Sequence, residues 1–600
     1  GVHFRVWAPK AKHLVLVVDG REYEPDKETE GYYSALVPSA RAGSRYGYRI
    51  DDNSRLFPDS ASRSQPEGPH EASCVVDPSL FAWSDAAWPG VTIARQVVTE
   101  VHLGTFTPEG TYRTAIEKLP LLADAGITLI ELMPVAEFPG RFGWGYDGVG
   151  LFAPTRLYGE PDDLRAFIEA AHGHGVGVIH DVVYNHFGPD GNYMPCFSDT
   201  YLTDKYDNEW GDAINFDGPG SAPVREFIRE NAAYWIREFH FDGLRLDATQ
   251  QIFDDSPEHI VAELTRAARE AAGDREIVVI AENEPQHATL VRPREQGGYG
   301  LDAIWNDDFH HTARIALTGQ NEAYYTDYTG SARELAACAK HGFLYQGQRS
   351  AWQKKRRGIP ARGVEGQNRI SFLENHDQIA NSDSGKRLVH LTDRGRLRAM
   401  TALMMLAPGT PMLFQGQEFA SSTPFLYFAD HKAELAQAVA KGRREFLSQF
   451  LSVADVTLDL PHAEATPRKC VLDWSERERN DWALRLHRDL SRLKREDATF
   501  AAQGHDGIDV AALNDELLLV RFDAPQARLL VVNLGSDLEP RILPEPLLAP
   551  PEGCRWKLVW ASEHPEYGGR GMREPETSDG CWFFQGPAAS VLAGVPADKN

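Results

Sequence analysis

Four short segments of this chain put acidic side chains directly after apolar runs. Asp181-Val-Val-Tyr-Asn-His186 closes one run, Arg245-Leu-Asp247 a second, Ala281-Glu282 a third and Asn375-His376-Asp377 a fourth. Any one of these, met alone, reads as a cap or a surface charge. Together they can split an acetal. One carboxyl group protonates the leaving oxygen, and a second, about 5–5.5 Å away in a retaining enzyme, attacks the anomeric carbon. Asp247 is read as the nucleophile and Glu282 as the acid/base. Asp377, with the imidazoles of His186 and His376, can bind ring hydroxyls and steady an oxocarbenium-like transition state.

Spacing supports these roles. Arg245 lies two residues before Asp247, so both side chains leave an extended strand on the same face. A cation there keeps Asp247 ionised. Glu282 shares its pocket with two other carboxylates and is expected to hold its proton at higher pH. Glu284 is a competing acid two residues on, but Glu282 directly follows the apolar run. Tyr146, in Gly145-Tyr146-Asp147, is a candidate platform for stacking on a sugar face.

Such groups need a scaffold that brings distant segments to one rim. From residue 96 the chain alternates apolar, β-branched runs with helical spacing. Strands are expected at 97–101, 128–133, 176–183, 241–247, 277–281, 303–305, 370–373 and 412–414. Near-continuous apolar runs belong to a parallel sheet buried on both faces. Eight of them interleaved with helices predict a (β/α)₈ barrel, whose active site lies at the C-terminal ends of the strands. Helices are expected at 115–125 with Gly126 as its stop, at 161–174, after a Ser256 cap, at 399–406 and at 482–495. No dinucleotide or P-loop glycine motif follows any strand.

The flanks read as all-β. Residues 1–80 are expected to form a β-sandwich, 78–90 a linker, 91–505 the barrel with a lid insertion around 187–223, and 506–600 a second β-sandwich. A net charge of −25 argues against nucleic acid or an anionic membrane surface and favours a neutral substrate. The six cysteines are scattered without CxxC spacing, and there is neither an 18-residue apolar run nor a visible signal peptide, so a cytoplasmic location is expected.

Segments 181–186, 243–247, 280–282 and 375–377 resemble, in order and spacing, the four conserved regions of the α-amylase superfamily of glycoside hydrolases. The N-terminal region, with Phe4-Arg-Val-Trp-Ala-Pro9, is similar to the glycogen-binding-like module of branching and debranching members. Segments 100–111, 305–311, 324–328 and 424–431 are similar to the maltooligosyltrehalose trehalohydrolase family within that superfamily. This resemblance implies hydrolysis of the α-1,4 bond next to the trehalose end of maltooligosyltrehalose, releasing trehalose and a maltooligosaccharide. It implies the roles given above for Asp247, Glu282 and Asp377. It also implies substrate contacts from Tyr146, Asp181, His186, Arg245, His376 and Gln378, and from Asp307, Asp308, His310 and His311. The expected partner is an α-glucan oligosaccharide, and the mechanism requires no cofactor and no metal, although some superfamily members carry structural calcium.

Two positions depart from the family pattern: Glu374 stands where Gln is usual, and Ala380 where Gly is usual. A glycogen branching enzyme would share the acidic trio, but Gln378 follows Asp377 where branching enzymes commonly have Glu. A debranching hydrolase is a second alternative. A catalytically dead glucan-binding barrel, the third, normally lacks one of the three acids.

Overall fold

The computed structural model describes residues 1–597 other than 382, 454, 455, 505, 506, 578 and 579. The division expected between 505 and 506 thus falls outside the described residues. At the N-terminus two antiparallel sheets face each other. One holds Val2–Trp7, Tyr32–Val37 and Asp26–Lys27, the other Arg21–Tyr23, Leu14–Val18, Arg45–Ile50 and Ser73–Cys74. The sequence alternates to suit this: Leu14, Leu16 and Val18 are buried, and Val15 and Val17 lie between.

The barrel closes on eight parallel strands. They are β1 (Val98–Val101), β2 (Leu129–Leu132), β3 (Gly177–Val182), β4 (Gly243–Leu246), β5 (Val278–Ala281), β6 (Ala303–Trp305), β7 (Arg369–Phe372) and β8 (Thr410–Phe414). Each lies inside or overlaps a run expected from sequence. Closure is made by β8 on β1, with Met412 opposite Val98 and Phe414 opposite Glu100. Every residue of all eight strands is buried.

The inward face follows the two-residue period of a strand. Val98, Leu129, Ile179, Val278, Ile280, Ala303, Trp305, Ile370, Phe372 and Met412 pack together as one apolar plug. Two residues further along the same face, the side chains turn polar: Glu100 on β1, Glu131 on β2, Asp181 on β3. Arg245 and then Asp247 continue the inward face of β4, and Glu282 follows Ile280 on β5. The lower barrel is therefore oil and the upper barrel charge, which is how the fold presents chemistry at one end only.

Some expected elements are corrected. The helix expected at 115–125 is two pieces, Tyr112–Ile116 and Leu119–Asp124. Pro120 lacks an N–H, and its ring collides with the carbonyl four residues back, that of Ile116, where the first piece ends. The helix expected from Ser256 begins only at Ile260. Asp254, not Ser256, organises the turn, its carboxylate accepting from the backbone N–H of Ser256 (2.9 Å) and of Ile260 (2.6 Å).

Two connecting segments are anchored. In the segment 78–90, Trp83 stacks on His240 at 3.8 Å and Trp88 on His172 at 4.6 Å, while Asp85 pairs with both imidazoles. It is a strap bound to the barrel wall. The insertion after β3 carries a short helix, Met194–Phe197, and a strand pair, Leu202–Thr203 with Ala213–Ile214. One side of it packs on the N-terminal sandwich. Trp7 meets Tyr201 edge-on at 5.1 Å, and the Lys10 N–H donates to the Phe197 carbonyl at 3.2 Å. Its other side reaches the barrel rim, where Asn208 Nδ2 donates to the Asn185 carbonyl at 2.8 Å.

The C-terminal region is a five-stranded antiparallel sheet in the order Ile508–Ala512, Leu517–Phe522, Arg528–Asn533, Ala588–Pro596, Cys554–Ala561. It rests on the helices Ala332–His341 and Arg394–Leu406. Among the described residues no helix is long and apolar enough to cross a membrane.

Candidate active site

Arg245 is the centre of the polar layer. Its side chain is fully buried and its guanidinium lies 4.2 Å over the Trp305 ring. Nη1 donates to both carboxylate oxygens of Asp181 (2.8 Å each) and to Asp247 Oδ1 (2.8 Å). Nη2 donates to Glu282 Oε2 at 2.7 Å. The planar fork thus seats the Asp247 and Glu282 carboxyl groups side by side on neighbouring nitrogens.

Backbone bonds fix the same pair. The Asp247 N–H donates to the Val182 carbonyl (3.1 Å) and the Glu282 N–H to that of Leu246 (3.0 Å), while the Glu282 carbonyl accepts from the N–H of Thr249 (3.0 Å). Ala248, between Asp247 and Thr249, is held at φ 39°, ψ 53°, in the left-handed region an alanine seldom occupies. That conformation lets its N–H reach Glu282 Oε2 at 3.2 Å. Asn185 completes the setting, its Nδ2 donating to Asp247 Oδ2 at 2.7 Å.

Asp377 arrives from β7. Asn375 caps the short helix His376–Ala380 by accepting from the Gln378 N–H at 2.8 Å, which puts Asp377 in the first turn. Side-chain exposure rises from 0% at Arg245 through 12% at Asp247 and 21% at Glu282 to 42% at Asp377. The guanidinium is therefore a floor, and the three acids line an open cleft above it.

The electrostatics separate the roles. Burial raises the Glu282 carboxyl above the usual range; Arg245 opposes this and Asp247 adds to it. The shift expected from crowding by carboxylates is thus in the right direction, but loss of water is its first cause. Asp377 is raised in the same way, with His376 opposing and Glu282 adding. Asp181 is pushed up to about 7 by burial, against the pull of Arg245 and of the Tyr146 hydroxyl.

The other residues picked out from sequence divide into three settings. Tyr146 donates to Asp181 Oδ2 at 2.7 Å and stacks on His376 at 5.2 Å, so it joins the core of the site. His186 lies at the edge, its ring facing Trp210 at 5.9 Å and its pKa lowered by burial. Asp307 is half-buried at the start of the helix Asp307–Thr318, its carboxyl raised by burial and by the fields of Glu282 and Glu284. Asp308 and His310 are packed behind the cleft. Asp308 accepts from Arg357 Nη1 and the Tyr328 hydroxyl at 2.7 Å each, and from the backbone N–H groups of Leu344 and Tyr345. His310 stacks on Phe372 at 5.2 Å, and burial lowers its pKa to about 3. His311 is neutralised by burial among Tyr324, Tyr325 and Tyr328. Gln378 Oε1 accepts from the hydroxyls of Tyr324 (2.8 Å) and Tyr325 (2.9 Å).

Glu284 does not share the guanidinium of Arg245. Its carboxylate receives Gln353, and its carbonyl accepts from Arg357 Nη2 at 2.9 Å. Glu374 also leaves the cleft. It accepts from the Leu388 N–H at 2.6 Å and pairs with Arg387 at 3.3 Å, so the departure from the family pattern at this position is absorbed by a buried cation.

Glu100, Glu131 and Asn185 are the residues that reading the strand ends missed. The signal was parity: in β1 and β2 an acid sits two residues after an inward apolar residue, inside a run otherwise buried.

Arg245→Met leaves three carboxyl groups around a buried centre with no cation. We expect a loss of about 3–5 kcal/mol of stability at pH 8, because uncompensated buried charge is costly. Asp181 and Glu282 already have folded-state pKa values above their unfolded ones. Without the guanidinium these rise further, so the folded state binds the extra protons. That contribution is fully present below about pH 4 and is lost as pH rises through the folded pKa values. Urea melts of the variant and of the wild type should therefore diverge more at pH 8 than at pH 5; a gap independent of pH contradicts the account.

Comparison with known proteins agrees with this geometry. Residues 55–210 match the family model of the α-amylase catalytic domain, and residues 1–78 that of carbohydrate-binding module 48, the isoamylase N-terminal domain. The chain is 41% identical to the malto-oligosyltrehalose trehalohydrolase of Deinococcus radiodurans, over 94% of each chain. It is 40% identical to that of Saccharolobus solfataricus, over 83% of this chain and 85% of the relative. A crystal structure from Salmonella typhimurium superposes with a TM-score of 0.87 at 35% identity, covering 98% of this chain and 97% of the other. A closed barrel with an N-terminal module, a clamped acid pair and relatives of this similarity over nearly the whole length lead to one assignment: the chain belongs to the malto-oligosyltrehalose trehalohydrolase family of the α-amylase superfamily.

Proposed function

We propose that this enzyme hydrolyses the α-1,4-glucosidic bond next to the trehalose end of maltooligosyltrehalose with retention of configuration. One observation supports this above the rest: a single buried guanidinium holds Asp247 and Glu282 side by side at the floor of the cleft. Glu282 gives its proton to the glycosidic oxygen as the bond to the anomeric carbon breaks, and trehalose leaves with that proton. Asp247 bonds to the anomeric carbon from the opposite face. Water then gives a proton to Glu282 and its oxygen to the anomeric carbon, freeing Asp247 and releasing the maltooligosaccharide. Asp377, Tyr146, His376 and Asp181 surround the reacting ring; the open edge near His186 and Asp307 takes the rest of the oligosaccharide.

The division into a 1–80 module, a 91–505 catalytic barrel and a 506–600 C-terminal unit belongs to the same proposal, as does a cytoplasmic setting, which six cysteines without a disulfide among the described residues suit. Product analysis tests the reading. Supplied separately with maltooligosyltrehalose, plain maltooligosaccharide and glycogen, the enzyme is expected to release trehalose from the first and to turn over the other two far more slowly. New branch points in glucan, or linear chains freed from glycogen with maltooligosyltrehalose untouched, would replace the proposal with a branching or a debranching activity.

A further inference from the structure

We infer that Glu100 is a positioning residue for this reaction: it grips His376 at two points and holds the imidazole doubly protonated, with Nε2–H turned towards Asp377. Glu100 is fully buried on the inward face of β1. Its Oε2 accepts from the backbone N–H of His376 at 2.9 Å, and its Oε1 is hydrogen-bonded to His376 Nδ1. On the far side of the ring, His376 Nε2 lies 3.5 Å from Asp377 Oδ2. The ring has little freedom to escape, being stacked on Tyr146 at 5.2 Å and met edge-on by Trp144 at 5.0 Å.

The tautomers decide the matter. A neutral imidazole has one N–H and one lone pair. With the proton on Nδ1, the Nε2 lone pair faces the anionic oxygen of Asp377. With the proton on Nε2, the Nδ1 lone pair faces Glu100. Either form sets a lone pair against a carboxylate, and at the fully buried Glu100 end the repulsion is not screened by water. Only the imidazolium satisfies both ends. The surrounding charge agrees: burial and Arg245 oppose the cation, but Glu100 and Asp377 outweigh them and push His376 up to about 10. Glu131 on β2, Glu282 after β5 and His102 after β1 are the other titratable groups that feel this ring, with the Tyr146 hydroxyl bound away to Asp181.

The consequence is a fixed donor beside the transition-state stabiliser. A charged Nε2–H aims Asp377 and can donate to a sugar hydroxyl, and it adds no reorganisation when the oxocarbenium forms. Glu100 touches neither substrate nor reacting atoms; it acts through His376.

The inference rests on the hydrolase reading, and wild-type turnover of maltooligosyltrehalose checks that reading first. Glu100→Gln keeps the shape but turns an amide towards Nδ1, so the imidazole reverts to neutral. Near pH 7, kcat/KM is expected to fall about 10²-fold, the scale of a lost transition-state donor. The basic limb of its pH profile, set in the wild type by Glu282, should move at least about one unit lower, because His376 now loses its essential proton before Glu282 does. Glu100→Asp should recover part of both, and Glu100→Gln/His376→Asn should be no worse than His376→Asn alone. A loss equal at every pH with an unmoved limb, or additive losses in the double variant, overturns the inference and leaves the hydrolase reading intact. A measurement on the wild type alone decides it even if Glu100→Gln fails to fold. In histidine-labelled protein, the His376 ring resonance, assigned by its absence in His376→Asn, should keep an imidazolium shift up to about pH 9; titration near the ordinary value of about 6.5 refutes it.

Discussion

Asp247→Asn is expected to lower kcat on maltooligosyltrehalose by about 10⁴-fold, because no covalent intermediate can form without the carboxylate. The protein should still fold. The amide oxygen can accept from Arg245 as Asp247 Oδ1 does at 2.8 Å, and the side chain keeps its shape at the floor of the cleft; the amide nitrogen no longer accepts from Asn185 Nδ2, a loss that the relief of charge crowding offsets. Removing a negative charge from a crowded acidic layer should leave the melting temperature unchanged or raised. KM should move little, since Tyr146, Asp181 and His376 keep their places. A variant that retains more than about a tenth of wild-type kcat would take the nucleophile role away from Asp247.

Glu282→Gln carries the second large effect, about 10³-fold on the natural substrate, the scale of a lost general acid. It differs from the first in being rescuable. An aryl α-maltoside has a leaving group that departs without a proton, so the glycosylation step should return close to the wild-type rate. Added azide should then raise turnover, because it attacks the glycosyl-enzyme without a base and yields the α-glycosyl azide, with net retention. The basic limb of the pH profile, which in the wild type reports the raised Glu282 carboxyl, should in this variant retreat to the higher pH at which His376 loses its proton. Equal impairment on natural and aryl substrates, with no response to azide, would remove the acid/base role from Glu282.

Much of this was legible before any coordinates. The eight barrel strands could be read because a parallel sheet buried on both faces writes itself as unbroken apolar runs. Asp247 and Glu282 could be picked out because each stands where such a run ends; Asp377 lies beyond the end of its run and is picked out by the motif Asn375-His376-Asp377. What sequence hid falls into a few physical classes. Glu100 and Glu131 lie within their runs, so they pass for interruptions of a strand unless inward parity is counted. Asp308 resembles a substrate-binding residue by its place in a motif, but it is taken by Arg357, a residue 49 positions away whose approach only the folded chain specifies. Glu374 is turned from the cleft by Arg387 in the same way. The strand Ala588–Pro596 is hard to read from sequence because its Ala-, Ser- and Gly-containing segment has weak strand propensity and gains its order from two neighbouring strands. The break at Pro120, by contrast, was available to a stricter reading of the helix rules.

The insertion after β3 gives the architecture a meaning beyond its shape. Its Tyr201 and Phe197 are seated in the N-terminal sandwich, and its Asn208 hangs on the carbonyl of the same Asn185 whose side chain donates to Asp247. The first seventy-odd residues, which match a carbohydrate-binding module, are thus also a brace for the acidic layer around Arg245. Protein engineers who graft this barrel onto another leader, or trim it to a minimal catalyst, would be loosening a hinge pin of the reaction itself, and swaps between homologues should carry the sandwich and the insertion together as one part.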